Sequence, residues 1–162
     1  MKAIINAKIF LHEEIIENKM LVFDDTIISI KEQKDFQEME IIDAQGAYVS
    51  AGFIDLHIHG NGGADVMDAT LDALETISST LLQTGTTSFL ATTMTMSSQA
   101  VDNALQNIQL HAAKVTGAHI LGIHLEGPFI NASKHGAQDK AYVQTANLSL
   151  IENYMQEIKI IT

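Results

Sequence analysis

The chain has 162 residues, 46% of them hydrophobic, a formal charge of −11 at pH 7 and no cysteine. Such a length and composition suit one globular domain, or one domain with a small satellite. The acidity argues against a nucleic-acid footprint and against an anionic membrane surface, and the absence of thiols excludes disulfides and thiolate zinc sites. The start, "MKAIINAKIFLHEE", lacks a signal peptide's long apolar region and small-residue cleavage site, and no apolar run approaches membrane-spanning length. A soluble cytoplasmic protein is expected.

Residues 1–50 read as a small β domain. "KAIINAKIF", "KMLVFDDTIISI" and "MEIIDAQGAYVS" hold β-branched residues in short runs, with "DD" and "AQG" as turn signals. From residue 51 the texture changes. "FIDLHIH" reads as a strand. "TLDALETISSTLLQTG" places Leu71, Leu74, Leu81 and Leu82 at helical spacing and stops at Gly85. "TTSFLATT" is a second strand. Val101, Ala104, Leu105, Ile108 and Ala112 mark a second helix that stops at Gly117. "HILGIHLEG" is a third strand. A long polar loop follows, then a helix near Leu148 to Glu157, and "IKIIT" opens a fourth strand. Alternating strands and helices predict a parallel sheet. Three and a half βα units are too few to close a (βα)₈ barrel, which takes about 250 residues. The sequence is therefore expected to be the N-terminal part of a longer protein; the alternative is a small open α/β domain complete as it stands.

Strand alternation puts Asp55, His57 and His59 on one face and Ile54, Leu56 and Ile58 on the other. Residues two apart on a strand lie about 6.5–7 Å apart along it. Two imidazoles leaning together can reach one ion at about 2.0–2.1 Å each. Gly60, Gly62 and Gly63 follow at once, and the expectation is that they clear room for metal and substrate. In "GIHLEGPF", Gly122, His124 and Glu126 share a face, with Glu126 at the strand's C-terminal end. From the strand alone two readings stand for Glu126: a metal ligand, or a helix-capping or salt-bridging carboxylate. His124 is assigned a supporting role behind the ligands. The loop "INASKHGAQDKAYV" supplies donors from Lys134, His135, Gln138 and Lys140, and from composition alone reads as solvated surface. His12, His111 and His119 show no partner pattern, and the methionines of "TTMTMSS" read as packing. Asp55 sits too far down its strand to serve as a general base.

"GFIDLHIHGNGGADVMD", followed by "GIHLEGPFINASKHGAQ", resembles the amidohydrolase superfamily and, within it, the N-acetylglucosamine-6-phosphate deacetylase family. The H-x-H after "GFID" carries the superfamily resemblance; "HLEGPF" with the "KHGAQ" loop carries the narrower one. The resemblance implies the N-terminal portion of a TIM-like (βα)₈ barrel preceded by a small β-sandwich-type domain. It implies metal-dependent deacetylation of N-acetylglucosamine 6-phosphate to glucosamine 6-phosphate and acetate. Glu126 matches the family's principal metal ligand, and His57 and His59 match a pair that holds a second ion in some members. The cofactor implied is a divalent metal, zinc or iron, as one or two ions. Ala137 and Gln138 match positions that contact the amino sugar. The general-base aspartate and two further metal-binding histidines are expected beyond Thr162, and the full-length form is expected to be a homodimer. The chain alone is expected to have little or no activity. The rival readings are an amidohydrolase acting on a cyclic amide or another N-acyl sugar, and a non-catalytic half-barrel.

Overall fold

In a computed structural model, which describes residues 1–34, 36 and 38–162, the chain forms two compact units, Met1–Ala51 and Gly52–Thr162. The first unit is all β: β1 (Lys2–Ile5), β2 (Lys8–Leu11), β3 (Glu14–Ile16), β4 (Lys19–Phe23), β5 (Ile27–Glu32), β6 (Glu40–Asp43) and β7 (Tyr48–Val49). They make a four-stranded sheet, β5-β4-β1-β6, and a three-stranded sheet, β3-β2-β7. The apolar run "KAIINAKIF" is split at Asn6, whose left-handed φ of 53° sends its two halves into different sheets. Leu21, Ile4 and Ile30 of the first sheet cluster with Ile9, Ile16 and Val49 of the second, so the two sheets share a core. Alternation within each strand supplies that face.

The second unit begins with β8 (Phe53–Ile58) and a short hairpin, β9 (Gly60–Asn61) with β10 (Ala64–Asp65). It continues through α1 (Leu71–Leu82), β11 (Thr86–Thr92), α2 (Ser98–His111), β12 (His119–Leu125) and β13 (Ile158–Ile161). Thr70 and Ser97 cap the two helices, each side-chain oxygen accepting from a backbone N–H of the first turn. The sheet order is β13-β12-β11-β8, with every pair parallel. Leu74, Ile77 and Leu81 of α1 and Val101, Leu105 and Ile108 of α2 pack on Phe89, Ala91, Ile123 and Leu125. The helices therefore cover one face of the sheet. Leu90, Thr92, Gly122 and His124 alternate with those residues onto the other face.

One expectation is corrected here. The helix expected near Leu148 to Glu157 is a pair of 3₁₀ turns, Leu148–Leu150 and Glu152–Tyr154. The Asn147 side chain accepts from both the backbone N–H and the hydroxyl of Ser149, at 3.1 and 2.7 Å. These bonds cap the start of the first turn. Ile151 and Tyr154 are nevertheless buried in the core, which is the signal that periodicity picked up. The glycines after His59 form the tight hairpin, which accounts for the turn expected of them. A Cβ on Gly60 would lie 2.1 Å from the Ala64 carbonyl oxygen, and Gly62 and Gly63 take left-handed φ of 64° and 84° at its tip.

Candidate metal centre

β8 and β12 each end in chemistry-bearing side chains at the carboxyl edge of the sheet. His57 is the penultimate residue of β8, His59 follows it, and Glu126 follows β12. The structure brings these three together: one nitrogen from each imidazole and one carboxylate oxygen lie within 4.8 Å of one another. Glu126 Oε2 lies 3.0 Å from His59 Nε2 and 3.7 Å from His57 Nε2. These values bracket the roughly 3.4 Å that separates tetrahedral ligands each about 2.1 Å from one ion.

His59 Nδ1 lies 3.3 Å from the Thr92 carbonyl oxygen, which can only accept; the neutral tautomer that donates there leaves Nε2 bare toward Glu126. Glu126 Oε2 is buried and has no hydrogen-bond partner among the described residues, although the Glu126 side chain as a whole is 25% exposed. With Nε2 bare, this buried carboxylate oxygen faces an imidazole lone pair at 3.0 Å, which is unfavourable until a cation joins them. The capping and salt-bridging alternative for Glu126 finds no cationic partner here apart from these two imidazoles among the described residues.

His124 is buried but bonds to neither Glu126 nor the two histidines. Its Nδ1 meets the Leu56 carbonyl oxygen at 2.9 Å and its Nε2 meets Thr162 Oγ1 at 3.1 Å. Its ring stands edge-on to His57, centroids 4.8 Å apart. Asp55 is committed locally, accepting from the His57 backbone N–H at 3.0 Å.

Ala137 and Gln138 lie on the loop after β12. Ala137 is exposed and Gln138 half-buried. Gln138 Oε1 accepts from Thr95 N at 2.7 Å, on the loop after β11. Thr95 in turn abuts Gly127, where a Cβ would fall 1.9 Å from Thr95 Oγ1. Gln138 is thus joined through Thr95 to the residue that follows Glu126, while the amide nitrogen of Gln138 stays available as a donor. Sequence reasoning missed Thr92 and Thr95. Their only signal was their place at the end of the second strand, within "TTMTMSS".

A parallel βα sheet that carries paired imidazoles and a carboxylate at its carboxyl edge defines an α/β protein with a candidate metal centre at the strand ends. The chain belongs to the amidohydrolase family, whose profile matches residues 48–161. It is 38% identical over 165 residues to the N-acetylglucosamine-6-phosphate deacetylase of Bacillus subtilis (strain 168), an alignment covering 95% of this chain and 42% of that protein. To the enzyme of that name from Mus musculus it is 36% identical over 117 residues, covering 68% and 29%. The crystal structure of N-acetylglucosamine-6-phosphate deacetylase from Pasteurella multocida superposes with a TM-score of 0.87 at 28% identity, covering 99% of this chain and 44% of that one. These relatives bear out the resemblance read from "HLEGPF". The chain spans less than half the length of the curated relatives it matches. Among the described residues, no helix is long and apolar enough to cross a membrane.

Proposed function

We propose that this chain forms the metal-binding portion of a deacetylase that hydrolyses N-acetylglucosamine 6-phosphate to glucosamine 6-phosphate and acetate. The observation that carries the reading is the convergence of His57 Nε2, His59 Nε2 and an otherwise partnerless Glu126 Oε2. The donor set, two nitrogens and one oxygen, suits zinc or ferrous iron, as one or two ions. A divalent ion held there supplies Lewis acidity, polarising the acetamide carbonyl and making water more acidic.

The chain's own residues do the holding and the orienting. Thr92 keeps the His59 proton on Nδ1, and Glu126 contributes the negative charge. Gln138, its Oε1 engaged by Thr95, keeps its amide N–H groups to donate to the sugar, beside the exposed Ala137. Asp55 is engaged with the His57 backbone, and the resemblance to the deacetylases implies that the general base is an aspartate following Thr162. β8 and β13 are the outer strands of the sheet, and Ile54, Leu56 and Ile161 on them are exposed. That supports further strands closing a (βα)₈ barrel; the resemblance to the deacetylases implies a longer, cytoplasmic, homodimeric protein.

The test is acetate release by the full-length protein from N-acetylglucosamine 6-phosphate, set against unphosphorylated N-acetylglucosamine and a cyclic amide. Turnover of the phosphorylated sugar, lost in Glu126→Gln, is expected; turnover of the cyclic amide alone overturns the reading. The 162-residue chain by itself is expected to release little or no acetate, and Glu126-dependent release from it would contradict that part.

A further inference from the structure

The β8 strand is not regular where it carries its histidines. Asp55 pairs with Phe89 and Ile58 with Ala91, so Leu56 and His57 stand together opposite the single residue Leu90. This is a β-bulge, a device that re-aims side chains and leaves backbone groups outside the ladder. The groups freed here are each met by a side chain. The His57 N–H donates to Asp55 Oδ1 at 3.0 Å, the Ile58 N–H donates to Thr92 Oγ1 at 2.9 Å, and the Leu56 carbonyl accepts from His124 Nδ1 at 2.9 Å. Thr92 and His124 are both buried and come from the next two strands. His124 reaches past β11 to the backbone of β8, across the face of the sheet that the helices leave free. The Thr92 hydroxyl also donates to the Leu90 carbonyl at 3.2 Å, at the residue opposite the bulge.

We propose that Asp55, Thr92 and His124 are positioning residues that pin this bulge, and that the bulge turns the His57 and His59 imidazoles toward Glu126. A regular strand carries side chains two apart nearly parallel and about 6.5–7 Å from each other. The two rings here have centroids 5.0 Å apart with planes at 87°. That inclination brings both Nε2 atoms to one carboxylate oxygen. His124 also packs against the His57 ring, so one residue holds both the backbone and the imidazole beside it. The proposal rests on reading the cluster as a metal site, and its test separates the two.

Cobalt(II) is titrated into the 162-residue chain and followed by visible absorption and calorimetry. His124→Phe keeps a ring but loses both bonds, and is expected to raise the dissociation constant about 10–100-fold, as loss of an outer-shell partner does. His124→Asn can still donate to the Leu56 carbonyl and is expected to recover most of the affinity. Thr92→Val and Thr92→Ser make the matching pair at the other end of the bulge, and decide the matter if His124→Phe does not fold by circular dichroism. Wild-type affinity and spectrum in both His124→Phe and Thr92→Val would overturn the proposal. If the wild-type chain binds no cobalt, the metal reading fails by itself. Amide exchange in the metal-free chain then decides the bulge: Thr92→Val should speed exchange at Ile58 about fivefold, the factor one net hydrogen bond is worth, and unchanged exchange would refute the pinning.

Discussion

Replacing Glu126 with leucine tests the site without any enzymatic assay. In the metal-free chain the carboxylate is a liability, because Oε2 is buried without a hydrogen-bond partner among the described residues. An unsatisfied buried polar group costs about 1–3 kcal/mol. The side chain is 25% exposed, so the low end, about 1 kcal/mol, applies. Glu126→Leu is therefore expected to stabilise the chain by about 1 kcal/mol in EDTA at about pH 8, where free imidazoles are neutral. Metal at 100 times the wild-type dissociation constant should then stabilise wild type by about 2.7 kcal/mol, and Glu126→Leu by almost nothing. The order of stability reverses, with wild type ahead by about 1.7 kcal/mol. Urea unfolding followed at 222 nm is the assay, because both α-helices belong to the Gly52–Thr162 unit and report on it alone. A leucine variant less stable than wild type in EDTA would show that the carboxylate has a structural partner. An equal gain from metal in both proteins would remove Glu126 from the site.

Gly127→Ala should cost more than an ordinary surface substitution. It puts a Cβ 1.9 Å from Thr95 Oγ1 at a φ of +63°, where an L residue pays about 1–2 kcal/mol before any clash. Lower unfolding midpoints and weaker cobalt binding together are expected, since Glu126 is the preceding residue. Leu105→Ala, fully buried between α2 and the sheet, should cost about 2–5 kcal/mol. It should leave the cobalt spectrum of the folded chain unchanged, which separates core packing from the site. Burial, reinforced by the hydrogen bond to Asp102, pushes the Tyr154 phenol up to about 12. The unfolded chain binds fewer protons once pH exceeds about 10. Stability from this group is thus complete below about pH 10 and lost between about 10 and 12. Unfolding midpoints across that range should fall more steeply in wild type than in Tyr154→Phe.

Much of the site was legible because its signals are local. His57, His59, His124 and Glu126 were legible at or beside the ends of strands because each apolar run that carries them closes on glycine. The end of "TTSFLATT" was legible as a strand end, yet Thr92 was not legible as a partner of Ile58, which lies 34 residues earlier. His124 was legible as a supporting residue, but not its partner: its bond runs to the backbone of Leu56, 68 residues away, while its ring packs on His57. The stretch from Leu148 misled periodicity because Ile151 and Tyr154 are buried at helical spacing although the backbone there makes only two 3₁₀ turns.

The amino-acid order alone therefore determined the alternation of strands and helices, the capped starts of α1 and α2, and which residue types stand at the carboxyl edge. These follow from steric periods and cap chemistry that act within a few residues. The tertiary structure decided the rest: that β8 bulges at His57, that three side chains take up the backbone groups the bulge releases, and that two imidazoles then face one carboxylate oxygen. Those outcomes depend on where β11 and β12 settle against β8. Buried backbone groups must find partners wherever the packed sheet offers them, and no local pattern states which residue will be there.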